Sequence, residues 1–225
     1  MTTRTKACIR IEHLKFSYGR GRFTLGIEDL LVGEDRAIAL VGQSGAGKTT
    51  LLCLMAGILT PDEGRVHLFD TCLSELGEGA RRRLRIQNFG LVFQEFELLE
   101  HLTVGENILL PYHINDALRL DGSVRDRARE LARRAGLGAF LSRRPRELSQ
   151  GERQRVAVLR ALITRPPVVL ADEPTGNLDQ RTSAEILDLM EEEVRGRKGT
   201  LVTVTHDPSV LSRFDEVVDM RELQA

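Results

Sequence analysis

The residues best suited to chemistry lie in one stretch, Ala37-Ile-Ala-Leu-Val-Gly42-Gln43-Ser44-Gly45-Ala46-Gly47-Lys48-Thr49-Thr50-Leu-Leu. An apolar run enters a glycine-rich turn, lysine and threonine follow, and an apolar helix pattern from Leu51 to Leu59 leaves it. This is the strand, phosphate loop and helix order of a G-x-x-x-x-G-K-T site. A triphosphate needs many donors close to its oxygens and no side chains in the way. Gly42, Gly45 and Gly47 admit backbone conformations closed to other residues, so successive N–H groups can curl into an anion nest. The helix starting near Lys48 adds its positive dipole end. Lys48 supplies a charge for the β- and γ-phosphates, and the Thr49 hydroxyl is placed to ligate Mg²⁺. A chance glycine turn is the competing explanation, and the complete string in its required context speaks against it.

A second group follows the apolar run Val168-Val-Leu-Ala171, which ends in Asp172-Glu173. One carboxylate there can help hold Mg²⁺, and its neighbour can orient and deprotonate an attacking water. Open α/β sheets gather their ligands at the C-terminal edge of the strands, where this pair would sit. Such a pair is weak evidence alone; joined to the phosphate loop it indicates nucleoside triphosphate hydrolysis.

The elements that must position these residues can be read in outline. Cys8 to Phe16 and Phe23 to Val32 alternate apolar and polar side chains about a turn at Ser17-Tyr18-Gly19-Arg20-Gly21, which predicts an antiparallel hairpin on the edge of the main sheet. Thr60-Pro-Asp-Glu-Gly64 is a turn, Arg65 to Phe69 a short strand, and Ser74 to Arg85 a surface helix. On that helix Arg81, Arg82, Arg83 and Arg85 read as a solvated face, with an interfacial basic patch as the sharper alternative. Phe89 to Phe93 and Val168 to Ala171 have the length and continuous apolar character of buried parallel strands. Between them, from Thr103 to Leu162, the signals are helical: a capping box at Thr103-x-x-Glu106, a stop at Pro111, and helical spacing from Ser123 to Ala135 before Gly136. This Arg-rich stretch reads as a helical subdomain inserted into an α/β core. The remainder predicts a helix from about Thr182 to Arg195, a strand from Thr200 to Thr205, His206-Asp207-Pro208, a short helix and a last strand from Glu216 to Met220.

The 225 residues suffice for a sizeable core, and a net charge of −1 with 29% charged residues describes an ordinary soluble surface with no overall basic character for nucleic acid. Cys8, Cys53 and Cys72 are widely spaced, which fits buried thiols in a reducing compartment better than disulfides or a zinc site. The first residues are polar and lack the apolar core of a signal peptide. The uncharged run from Thr49 to Thr60 falls far short of the roughly 20 apolar residues of a membrane helix. Any membrane role must come through another chain.

The classes are separated by Leu148-Ser149-Gln150-Gly151-Glu152-Arg-Gln154-Arg155-Val156-Ala157, with Gln94 before it and Asp179 and His206 after it. With these motifs in this order, the sequence resembles the nucleotide-binding subunits of ATP-binding cassette transporters over nearly its whole length. The resemblance implies an α/β fold: a P-loop NTPase (RecA-like) core with a mainly parallel sheet, an N-terminal antiparallel β-subdomain and an inserted α-helical subdomain. The whole chain is then one ATPase domain, with residues 1–95 and 160–225 as the core and 96–159 as the helical signature subdomain. It casts Tyr18 as the aromatic that stacks on adenine, Gly42 to Thr50 as the Walker A loop, and Gln94 as the residue joining the metal to the membrane partner. Ser149 and Gly151 fall in the signature motif, Asp172 and Glu173 in Walker B, Asp179 in the D-loop, and His206 is the switch histidine.

The same resemblance implies a head-to-tail dimer in which the signature of one copy completes the ATP site of the other. The local chemistry is compatible: Ser149 can cap the helix that follows, and the helix start then faces a γ-phosphate with its positive end. An ordinary capping box at Ser149-x-x-Glu152 is the plainer reading, and the two do not conflict. The signature departs from the usual pattern, with Gln150 where Gly is common and Glu152 where Gln is common.

The run Asp172-Glu-Pro-Thr-Gly-Asn-Leu-Asp179 looks like the branch containing lipoprotein-releasing, macrolide-exporting and cell-division ATPases, in which cassette closure moves a membrane partner mechanically. Phe96 to Pro111 resembles the part that receives the partner's coupling helix. The chain is thus expected to be cytoplasmic and peripheral on the inner face of the cell membrane, bound to a permease and to a second copy of itself, with ATP and Mg²⁺ and no nucleic acid. Two rival readings remain, a soluble non-transport cassette ATPase and a regulatory ATP-binding scaffold. A soluble cassette acting on DNA or ribosomes would need a long coiled coil or a second cassette, and a non-hydrolytic scaffold would not need Lys48, Asp172, Glu173 and His206 together.

Overall fold

The strands buried throughout lie in one sheet, and the alternating strands of the hairpin lie in another. The computed structural model describes residues 6–19, 23–176 and 178–223. In chain order, β1 (Ala7–Ser17) and β2 (Thr24–Gly33) form a hairpin, and β3 (Ala37–Val41) leads through the phosphate loop into α1 (Lys48–Met55). Next come β4 (Glu63–Leu68), β5 (Thr71–Cys72), α2 (Glu78–Asn88), β6 (Phe89–Val92), and the helices α3 (Val104–His113), α4 (Gly122–Arg134) and α5 (Gln150–Leu162). The chain closes with β7 (Val168–Asp172), α6 (Gln180–Arg195), β8 (Thr200–Val204), β9 (Glu216–Asp219) and α7 (Met220–Leu223).

The main sheet has the order β6-β7-β8-β3-β9, and every neighbouring pair is parallel. Successive side chains of a strand point to opposite faces, and this alternation builds two cores from one sheet. Val168, Leu170, Val202 and Val204 face the first core, with Leu51, Leu54 and Met55 of α1 and the apolar side of the hairpin. Val169, Ala171 and Leu201 face the second, with Ile108 of α3, Leu131 of α4, Val158 of α5 and Met190 of α6. Covered on both faces, β7 and β8 are buried throughout, as their continuous apolar sequence requires. Each fully buried Leu, Ile or Val contributes about 1.5–3 kcal/mol, so the sheet that carries the site is held from both sides.

Several expectations need correction. The hairpin is not on the edge of the main sheet; it belongs to a separate antiparallel sheet of order β2-β1-β4-β5. β1 pairs with β2 along one side and with β4 along the other, so it has no edge left to offer. The hairpin tip at Arg20-Gly21 lies outside the described residues, as do residues 1–5 and Asn177. The helix expected from Ser74 begins at Glu78, because the Ser74 hydroxyl turns back to accept the Val66 N–H at 2.9 Å and a single 3-10 turn occupies Leu73–Glu75. Two of its four arginines are not solvated: Arg81 and Arg85 are mostly covered, both pair with Glu78, and Arg85 donates to Gly57 O at 2.9 Å. Pro111 does not end α3, which runs on to His113. A proline so close to a helix C-terminus removes one backbone bond, and the buried Ile108 and Leu109 hold the turn ahead of it. The last strand stops at Asp219, and Met220 starts α7. Of the three cysteines only Cys8 is buried; Cys53 and Cys72 are half-buried, and all are free thiols.

Candidate active site

The phosphate loop leaves β3 at the C-terminal edge of the sheet and enters α1 without any side-chain cap. Gly47 stands at the N-cap with φ 88°, a left-handed conformation, and a Cβ there would lie 2.7 Å from Phe23 Cζ. Both the dihedral and the aromatic ring against it demand glycine. The turn is closed by the Ala46 N–H donating to Gln43 O at 3.2 Å and the Leu51 N–H donating to Gly47 O at 2.8 Å. Lys48 Nζ bridges the loop, donating to Gly42 O at 2.8 Å and Gln43 O at 2.9 Å.

β7 delivers Asp172 beside this loop, two strands away from β3 across β8. Asp172 is buried, and the Thr49 hydroxyl donates to its Oδ2. Burial pushes the Asp172 carboxyl up, with the adjacent Glu173 charge adding to the rise, while the Thr49 hydrogen bond and the Lys48 charge oppose it. Glu173 follows in the left-handed region with φ 47°, uncommon for a residue other than glycine. Its Oε1 lies 3.0 Å from Nδ1 of His206, the residue that emerges just beyond β8.

These groups line one cavity of about 460 Å³, together with Tyr18, Phe23, Gly42, Ser44, Gly45, Gly47, Thr50 and Gln94. Tyr18 is half exposed at its mouth, edge-on to Phe16 with ring centroids 4.9 Å apart. Gln94 lies in the exposed turn after β6 and also lines a neighbouring groove that reaches Gln150 and Arg153 of α5. Basic and amide donors, a buried carboxylate, a hydroxyl and a histidine-paired carboxylate thus converge where a polyanion and a hydrolytic water could both be held. Ser149, Gly151 and Asp179 do not line this cavity. Ser149 caps α5 in a full capping box, accepting the Glu152 N–H at 3.3 Å while Glu152 Oε2 accepts the Ser149 N–H at 2.7 Å. Asp179 caps α6, accepting the Thr182 N–H at 3.1 Å, and its bonds to Thr182 hold its carboxyl below the usual range.

A family profile described as ABC transporter matches residues 28–176. The chain belongs to the ABC transporter family. It is 40% identical over 220 residues to the "Lipoprotein-releasing system ATP-binding protein LolD" of Xanthomonas campestris pv. campestris, covering 96% of this chain and 91% of that protein. It is 42% identical to the "Uncharacterized ABC transporter ATP-binding protein YbbA" of Escherichia coli K12, covering 92% and 91%. Its fold superposes with a TM-score of 0.87 on the structure described as "Dimeric structure of a post-hydrolysis state of the ATP-binding cassette MJ0796 bound to ADP and Pi", at 31% identity over 96% of this chain and 94% of that one. The cassette is an ATP-binding, ATP-hydrolysing subunit of a membrane transporter of this family.

Three residues of the cassette that bear on the site escape sequence reasoning. Phe23 seals Gly47 from the hairpin side; an aromatic just past the Gly-rich turn was its only signal. Arg160 reaches from α5 to donate to the carbonyls of Phe96 and Glu97, fixing the segment just after Gln94. Gln154, inside the signature motif, donates its amide to Glu173 O. Arg160 and Gln154 act over 19 to 64 positions of chain, beyond any local pattern.

Proposed function

We propose that the cassette works as a head-to-tail homodimer that drives a membrane partner of the lipoprotein-releasing, macrolide-exporting and cell-division type, by closing on ATP and reopening after hydrolysis. The observation that carries this reading is the Glu173 carboxylate, set on His206 beside the loop lysine in one cavity. Tyr18 stacks on adenine, the loop from Gly42 to Thr50 cradles the phosphates, and Lys48 turns from its two loop carbonyls to the β- and γ-phosphates. Glu173 accepts the proton of the attacking water, and His206 steadies both that carboxylate and the γ-phosphate.

The donor set fits Mg²⁺. The Thr49 hydroxyl and Asp172 carboxylate already touch, and both offer the hard oxygens this ion prefers, with Gln94 on the same cavity wall. Magnesium would neutralise charge developing on the β- and γ-oxygens. Ser149 and Gly151 meet the nucleotide of the second copy, which agrees with their position outside their own chain's cavity, and Asp179 lies along the same interface.

Residues 96–159 form the helical subdomain and 1–95 with 160–225 the core. Where they meet, an apolar groove of about 390 Å³ runs between α2, β6, α3 and α5, with Ile86, Phe93, Leu110 and Ile114 on its walls. An integral membrane permease docks here and through the Gln94 turn, which keeps the cassette peripheral on the cytoplasmic face of the membrane. Among the described residues no helix is long and apolar enough to cross a membrane itself.

The test is Glu173→Gln. It should lose ATP hydrolysis, keep ATP binding, and accumulate as an ATP-dependent dimer on size-exclusion chromatography. Hydrolysis at the parent rate would remove Glu173 from the role of general base.

A further inference from the structure

Helix α5 is capped by Ser149, and five residues past that cap it touches Glu173, the residue that follows β7. Gln154 is 1% exposed, and its Nε2 donates to the main-chain oxygen of Glu173 at 2.9 Å. The Glu173 peptide is held from other sides as well. Its N–H donates to Val204 O of β8 at 3.0 Å, and its carbonyl also accepts the Gly176 N–H at 3.1 Å.

An amide buried this deeply carries a desolvation cost that only its hydrogen bonds offset. An apolar side chain would sit more cheaply at this position of α5, where Val156, Ala157 and Val158 are buried as well. A left-handed glutamate, for its part, relaxes to an extended or right-handed backbone unless its surroundings over-determine it. The two observations explain each other if the amide is what holds the backbone. A relaxed peptide would swing the carboxylate away from His206 and the cavity, and displacement of a reacting group by about 1 Å can cost about a hundredfold in rate.

We propose that Gln154 is a positioning residue for Glu173: its buried amide fixes the left-handed backbone that aims the carboxylate into the nucleotide cavity. The inference rests on Glu173 being the general base, as proposed above. It makes the signature motif serve two sites, with its first residues at the nucleotide of a second copy and Gln154 at the base of its own.

The experiment compares steady-state ATP hydrolysis and ATP affinity in Gln154→Met, which keeps length and volume and removes the donor, with rates normalised to the ATP-binding fraction. We expect kcat to fall by about tenfold to a hundredfold while KM and ATP affinity stay within about twofold. Gln154→Leu is read by the same two numbers should the methionine variant fold poorly. Val158→Ala, a buried residue one turn further along the same helix, is the control for general loosening. A Gln154→Met kcat within about twofold of the parent overturns the inference, as does an equal loss in Val158→Ala at a matched drop in melting temperature. Glu173→Gln run alongside separates the two ideas: if it hydrolyses ATP, the general-base reading fails; if it is inactive and Gln154→Met is parent-like, only the positioning role fails.

Discussion

Gly90 allows the packing of the strand that feeds Gln94 to be tested with one methyl group. It lies in β6, four residues before Gln94, where the strand passes α5 so closely that a Cβ would sit 2.4 Å from Ala161 O and 2.9 Å from Pro166 Cγ. Nonbonded heavy atoms settle near about 3.5 Å, so Gly90→Ala requires β6 and the end of α5 to part by about 1 Å. The obstructing atom is a backbone carbonyl inside a buried helix and cannot rotate aside as a side chain would. Overpacking of a well-filled core costs about 1–3 kcal/mol, and a clash with backbone belongs at the upper end. In a domain of this size each kcal/mol lowers the melting temperature by about 2–4 °C, so a fall of about 6–12 °C is expected. Gly79→Ala serves as the control. Gly79 lies on the exposed first turn of α2 with nothing within 4 Å of an added Cβ, and alanine there should be neutral or stabilising by about 0.5 kcal/mol. Thermal melts of both variants without nucleotide decide the matter. A Gly90→Ala protein that melts within about 1 °C of the parent would refute the close approach of β6 and α5.

Two further predictions follow from side chains that tie the molecule together. Glu193 of α6 joins Arg127 of α4 at 2.7 Å and Arg134 at 2.6 Å, while Arg127 also reaches the carbonyls of Leu162 and Ile163 that end α5. Burial raises the Glu193 carboxyl, but the Arg127 hydrogen bond and the charges of Arg127 and Arg134 together outweigh it and hold the group below its ordinary value. With a lowered folded value, its stabilisation is complete above the unfolded value of about 4.3 and is lost as pH falls through the folded one. Glu193→Gln should therefore cost about 1–3 kcal/mol in urea denaturation at pH 7, and that difference should shrink progressively as the pH is taken below about 4.3. A difference that does not change with falling pH would contradict the pairing. At the cavity mouth, Tyr18→Phe should leave ATP affinity within about twofold, whereas Tyr18→Ala should weaken it by about 1–3 kcal/mol, roughly 5-fold to 150-fold in Kd. Equal affinity in all three proteins would remove Tyr18 from the adenine contact.

The parts of this fold that were legible in the sequence are those whose cause is local. The capping boxes at Thr103 and Ser149 join residues three apart, and both form as expected. The buried strands β6 and β7 announced themselves as apolar runs because helices and a second sheet cover both of their faces. Alternation in β1 and β2 revealed the hairpin, but alternation says only that one face is wet. Which sheet a strand joins depends on partners such as β4, more than 40 residues away. The surface helix expected from Ser74 starts later because the Ser74 hydroxyl accepts a strand N–H, a partner that no local pattern marks. At the site, the loop, the Asp172-Glu173 pair and His206 were visible as motifs, and the structure brings them to one cavity. Phe23, Gln154 and Arg160 were not, because a lone aromatic, amide or arginine has no spacing rule that marks its long-range partner.

With Glu173 as the general base proposed above, its left-handed backbone sets stability and activity against each other at a single residue. Glycine at this position would shed the conformational strain, about 1–3 kcal/mol at such sites, and would lose the carboxylate with it. Directed evolution of this cassette for heat resistance alone, with no demand for turnover, would thus be expected to abandon Glu173 early. Variants recovered from such a screen would be stable proteins that bind ATP and do no work.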